Sequence, residues 1–95
     1  MSEVVAITAD VTAQEVLTTR GDKQGVCYIV ETAGDLGSGV VTILGRPGNS
    51  DMTWEILATP ALGAQDVLWV GGEMDIAVTM TGSTAPDVNI GFTQV

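Results

Sequence analysis

Apolar residues at every second position dominate residues 73–81: Met74, Ile76, Val78 and Met80 share one face, and Glu73, Asp75, Ala77, Thr79 and Thr81 share the other. Successive side chains of an extended strand point to opposite sides, so this spacing predicts a strand with one buried and one wet face. Residues 87–93 repeat the pattern, with Val88, Ile90 and Phe92 inward and Asp87, Asn89, Gly91 and Thr93 outward. The turn-rich stretch Gly82-Ser83-Thr84-Ala85-Pro86 separates the two, and they are expected to pair directly or across one neighbour.

The same reading extends upstream. Met52, Trp54 and Ile56 alternate with Thr53 and Glu55, which predicts a strand with Trp54 in the core. The preceding Gly45-Arg46-Pro47-Gly48-Asn49-Ser50-Asp51 is dense in turn formers, so this strand is expected to form a hairpin with residues 40–44. Residues 26–31 are apolar and β-branched enough for a strand covered on both faces, and residues 66–70 for another short strand near the middle of a sandwich. Residues 3–9 read as a strand. Residues 11–19 read preferentially as a strand, although Thr12-Ala13-Gln14-Glu15 also fits a helix capping box.

Seven or eight short strands at spacings of roughly 8–12 residues predict an all-β, single-domain antiparallel β-sandwich, jelly-roll-like. With 95 residues and no linker or repeat, the domain is expected to span residues 1–95, with residues 1–10 as an arm or edge strand. The expected core contains Trp54, Ile76, Val78, Val88, Ile90 and Phe92.

Composition then narrows the function classes. The chain has no histidine, which removes the commonest general base and metal ligand together, and its one cysteine, Cys27, sits in an apolar run away from any evident activating base. Glu73 and Asp75 would lie about 7 Å apart on one strand face, where paired carboxylates are ordinarily solvated residues. The acids near Asp51 and Asp66 lack the spacing of a calcium loop, and the glycines of residues 34–39 and 71–72 precede no phosphate-binding helix. The chain is therefore read as a non-enzyme with no catalytic, cofactor or metal residues. Arg20-Gly21-Asp22 is read as turn chemistry rather than as a recognition tripeptide.

Twelve acidic side chains against Arg20, Lys23 and Arg46 give a net charge of −9, which opposes binding to nucleic acid or anionic lipid. No apolar run approaches the ~18 residues of a membrane helix, and the opening Met-Ser-Glu-Val-Val-Ala lacks a basic leader, so synthesis in the cytoplasm is expected. A hydrophobic fraction of 45% is high for a solvated monomer of this size, which predicts self-association. Val4, Val5, Ile7, Leu68 and Trp69 are the candidate contact residues.

One arrangement is familiar. The strand Val40-Val41-Thr42-Ile43-Leu44-Gly45, a polar turn, Asp51-Met52-Thr53-Trp54-Glu55-Ile56-Leu57, and two late strands about Gly82-Ser83-Thr84 resemble small β-sandwich proteins of tailed-bacteriophage virions. Where such proteins carry Ser-x-Asp-Gly ahead of Thr-Trp, this chain has Arg46-Pro47-Gly48-Asn49-Ser50-Asp51. The resemblance covers roughly the last 55 residues and implies a virion component on the capsid surface. Decoration or cementing between major capsid protein subunits, commonly as a homotrimer, is the role it suggests; a carbohydrate- or receptor-binding module of a fibre or tail is the alternative.

Overall fold

A computed structural model describes residues 2–18, 26–48, 51–60, 62–63, 65–70 and 73–94, excluding the side chains of Ser2, Leu17, Val26, Cys27, Trp69 and Val70. Arg20-Gly21-Asp22 and the Cys27 and Trp69 side chains thus lie outside the described residues. Eight strands are present: β1 (Ser2–Ile7), β2 (Val11–Thr18), β3 (Val26–Asp35), β4 (Val40–Pro47), β5 (Glu55–Ala58), β6 (Gln65–Val70), β7 (Met74–Thr81) and β8 (Asp87–Gln94). Residues 11–18 are strand, so the capping-box alternative is not realised.

The pairing is nested. β1 lies antiparallel to β8, β2 to β7, β3 to β6 and β4 to β5, as though one long hairpin had been rolled up. Further antiparallel pairing of β3 with β8 and β4 with β7 closes two four-stranded sheets, ordered β1-β8-β3-β6 and β2-β7-β4-β5. This is the strand order of a jelly roll.

Alternation places the core between the sheets. Val88, Ile90 and Phe92 of β8 and Ile76, Val78 and Met80 of β7 are essentially inaccessible, together with Ile7, Val30, Val41 and Ile43. The phase read from the sequence is therefore the phase adopted by β7 and β8.

Four expectations need correction. β7 and β8 do not pair: residues 82–86 carry the chain from one sheet to the other, because each strand's partners lie far away in sequence. β6 is an edge strand rather than a middle one. β3 is covered on one face only, with Glu31 exposed on the other, while residues 1–10 realise the edge-strand alternative, β1 being paired along Ser2–Ile7 at the edge of the first sheet.

The fourth is the phase of β5. Residues 51–54 form no strand; Trp54 is half-buried, Met52 is 60% exposed and Ile56 is 70% exposed. In the β4–β5 register Leu44 faces Ile56 and Ile43 faces Ala58, so Leu57 is an extra residue, a bulge. The bulge lets Leu57 and Ala58 both pack on the core. Leu57 occupies the space over Gly45, where a Cβ would come within 2.7 Å of its Cδ1.

Two glycines fix the end of the sandwich carrying the β3–β4 and β7–β8 connections. At Gly34, with φ of +110°, a Cβ would lie 2.0 Å from the Asp87 carbonyl oxygen, and at Gly37, with φ of +57°, 2.3 Å from that of Thr84. Only glycine fits such backbone contacts. The Thr84 amide then donates to the Gly37 carbonyl at 2.8 Å, tying the two loops together.

Candidate functional site

The two outer faces of the sandwich differ in chemistry, and the difference begins in the strand registers. On the second sheet, Asp75 of β7 stands opposite Arg46 of β4 on one side and Thr18 of β2 on the other, with Ala77 between Leu44 and Glu15. Asp75 is only 6% exposed and Ala77 is inaccessible, so the wet face expected of this strand is covered here. β7 is a central strand, and the long side chains of its neighbours close over it.

The covering is ionic and aromatic. Thr18 Oγ1 donates to Asp75 Oδ1 at 2.9 Å, Arg46 Nε lies 3.6 Å from Asp75 Oδ2, and Arg46 Nη2 lies 3.3 Å from Glu15 Oε1. The guanidinium stacks 4.2 Å from the centroid of Trp54. Arg46 is the one basic side chain among the described residues. A planar guanidinium can serve two carboxylates along its edge and an aromatic ring on its face at once, which an ammonium cannot. The cluster ties β2, β4, β7 and the segment before β5 together. Every charge in it already faces a partner within the chain, so it is a structural clasp.

On the first sheet, three central rows cross the outer face, and the exposed pair Asp87 and Asp35 forms the row beyond Asn89 and Ala33. Thr93, Ile29 and Val67 stand side by side, then Val4, Gly91, Glu31 and Gln65, then Ala6, Asn89 and Ala33. Val4 is 68% and Val67 64% exposed. Glu31 is the single charged residue in the three central rows, and its carboxylate accepts a hydrogen bond from Gln65 Nε2. Gly91 leaves the centre open: a Cβ there would meet nothing within 4 Å. The result is a shallow trough of about 250 Å³ lined by Ile29, Glu31, Gln65, Gly91 and Thr93. A second open depression of about 470 Å³ adjoins it at Thr32, Ala33 and Gly63, where β3 runs on beyond its pairing with β6.

The remaining polar groups are placed by the fold's ends and edges. Asp10 accepts hydrogen bonds from both the amide and the hydroxyl of Ser83, joining the β1–β2 and β7–β8 connections, and these bonds hold its carboxyl below the usual range. Burial raises the Tyr28 hydroxyl above its ordinary value. Asp66, on an edge strand opposite Val30, keeps one carboxylate oxygen buried and unpartnered, an arrangement that discourages a further strand from adding there. Among the described residues, no three His, Cys, Asp or Glu side chains gather closely enough to hold a metal ion.

The five residues singled out as contacts part company. Val4 is on the open face, Val5 packs half-buried against the core, and the Trp69 side chain lies outside the described residues. Ile7, at 2% exposure, and Leu68, at 5%, belong to the core and cannot touch a partner of the folded chain. The reason is parity: Ile7 opposes Val88 and Leu68 opposes Tyr28, both on the inward side of their strands. Sequence reasoning missed Ile29, Val67 and the gap at Gly91, although Gly91 had been read as outward. The cue was an outward glycine in a strand, a position that lets another surface approach.

No protein-family model, curated protein or solved structure matches the chain. The described residues define it by architecture alone, as an eight-stranded jelly-roll sandwich with one clasped and one open face.

Proposed function

We propose that the chain is a structural protein of a tailed-bacteriophage virion, decorating or cementing the capsid by binding between major capsid protein subunits. The observation that supports this most is the open face of the first sheet, where Val4 and Val67 stand exposed with one charge, Glu31, in the central rows. An exposed apolar face on a small domain marks a surface for another protein. Jelly rolls are a common architecture of capsid domains, and the rolled-up pairing presents flat sheet faces to neighbours. With a net charge of −9, the capsid surface it contacts is expected to be neutral or basic.

The test is co-sedimentation with capsids of the source phage. Wild-type protein is expected to pellet with the capsids, and a Val4→Glu, Val67→Glu double variant to remain in the supernatant. Wild-type protein that stays in the supernatant sinks the capsid reading.

A second reading, a carbohydrate- or receptor-binding module, is favoured by one feature. The trough offers Glu31, Gln65 and Thr93 as hydrogen-bonding groups beside apolar Ile29. A glycan array separates the two, with a bound oligosaccharide displaced by Gln65→Ala supporting this second reading.

A further inference from the structure

We propose that the outer face of the first sheet is a self-association surface, on which a second copy of this chain packs face to face about a two-fold axis. The inference does not rest on the virion reading and competes with it for this face, since copies paired here must part before capsid subunits can bind.

Three observations carry it. The first is charge: a chain of net charge −9 repels its copies across most surfaces, and the central rows of this face carry only Glu31. The second is shape. A two-fold contact needs one patch holding both projection and recess; here Val4 and Val67 project at 68% and 64% exposure, and the recess over Gly91 lies between their strands. The recess of about 250 Å³ adjoins the depression of about 470 Å³ at Thr32, Ala33 and Gly63, and its apolar wall at Ile29 can receive an aliphatic side chain. The third is area. Four strands about 4.8 Å apart, crossed by rows about 7 Å apart, give this face several hundred Å², the range of a weak, concentration-dependent contact. The outer face of the second sheet also exposes Val40 and Ile56, at 51% and 70%, but holds the ionic clasp between them and β2.

A two-fold pair is a dimer, which differs from the trimer implied by the resemblance to virion proteins. It also brings Glu31 of each copy toward the same central region, so that charge opposes the contact.

The experiment is light scattering between about 1 µM and 1 mM, a range that spans weak to moderate affinities. Wild-type protein is expected to approach twice 9.8 kDa. Gly91→Val fills the recess without crowding its own chain and replaces a poor strand former with a good one. It is expected to remain at the single-chain mass while melting at no lower temperature than the wild-type monomer. Val67→Lys should dissociate the pair likewise, whereas Ile56→Lys, on the other sheet, should leave it intact. Glu31→Gln is expected to tighten association several-fold. A wild-type chain that is monomeric at 1 mM, a trimeric mass, or a Gly91→Val variant that associates like wild type overturns the proposal.

Discussion

The outer faces of the two sheets are built from the same kind of strand and end in opposite states. Across the second sheet, Asp75, Arg46, Glu15, Thr18 and Trp54 hold one another, although the buried Arg46 Nε, 3.6 Å from Asp75 Oδ2, completes no hydrogen bond. Across the first, Val4, Ile29, Glu31, Val67 and the vacancy at Gly91 are left facing outward. The contrast turns on which residue stands opposite which. Arg46 meets Asp75 because β4 is zipped to β7 in that register, whereas Glu31 has Gly91 and Gln65 as neighbours and no cation beside it among the described residues. A clasped face contributes to the stability of the fold; an open one leaves its apolar side chains in water.

The largest way to break this contrast is to open the clasp. Arg46→Ala leaves Asp75 mostly buried without its countercharge. The expected loss is roughly 2–3 kcal/mol, less than the 3–5 of a fully buried pair because the arginine side chain is 20% exposed. Urea unfolding measures it, and a loss under about 0.5 kcal/mol, the range of an ordinary surface change, shows that the clasp is ornamental. Val67→Ser on the open face should stay within about 0.5 kcal/mol in monomeric samples.

A double-mutant cycle sharpens the same point. Arg46→Met combined with Asp75→Asn should cost at least about 1 kcal/mol less than the two single changes summed, since neighbours in one ionic network are not additive. Simple additivity would separate the two residues energetically despite their 3.6 Å approach.

The bulge in β5 gives a third comparison. Leu57→Ala removes packing on the core and is expected to cost about 1–2 kcal/mol, less than a fully buried leucine. Ile56→Ala, one residue away and 70% exposed, should cost under about 0.5 kcal/mol. Equal losses would contradict the bulged register.

The smallest effect belongs to the loop tie at Asp10. Its carboxyl in the folded chain titrates below the ordinary aspartate value of 3.8, so its contribution is present above that value and fades as pH falls through the lower folded one. Asp10→Asn should therefore flatten the acid limb of a plot of urea midpoint against pH below about 4 and leave the alkaline limb unchanged. Tyr28 governs the opposite end. Its raised value means that stability is full below 10.0 and declines above it, as the unfolded chain ionises first, and Tyr28→Phe should remove that decline.

Much of this architecture was legible in the sequence, for a local reason. Alternation in residues 73–81 and 87–93 assigned Ile76, Val78, Val88, Ile90 and Phe92 to the core correctly, because the two-residue period of a strand needs no knowledge of its partners. Where that period was interrupted, the reading failed. The register that sets Ile56 opposite the outward-facing Leu44 reversed the expected sides of Ile56 and Leu57, the bulge then brought Ala58 inward as well, and nothing in Met52-Thr53-Trp54-Glu55-Ile56-Leu57 announces either. The candidate contacts failed similarly: Ile7 is an apolar position of the N-terminal segment and Leu68 the neighbour of Trp69, and partner register turns both inward.

The sequence by itself thus determined that the chain forms short strands with one apolar side, punctuated by turn residues, with enough apolar surface for a sandwich. Only the tertiary structure decided that β7 and β8 enter different sheets, that β1 and β8 close the roll from opposite ends of the chain, and that Asp75 is covered while Val67 is not. The physical reason is range. Side-chain alternation is a property of neighbouring residues, whereas strand partnership and the clasping of Arg46 over Asp75 and Trp54 join residues brought together only when the loops between them close.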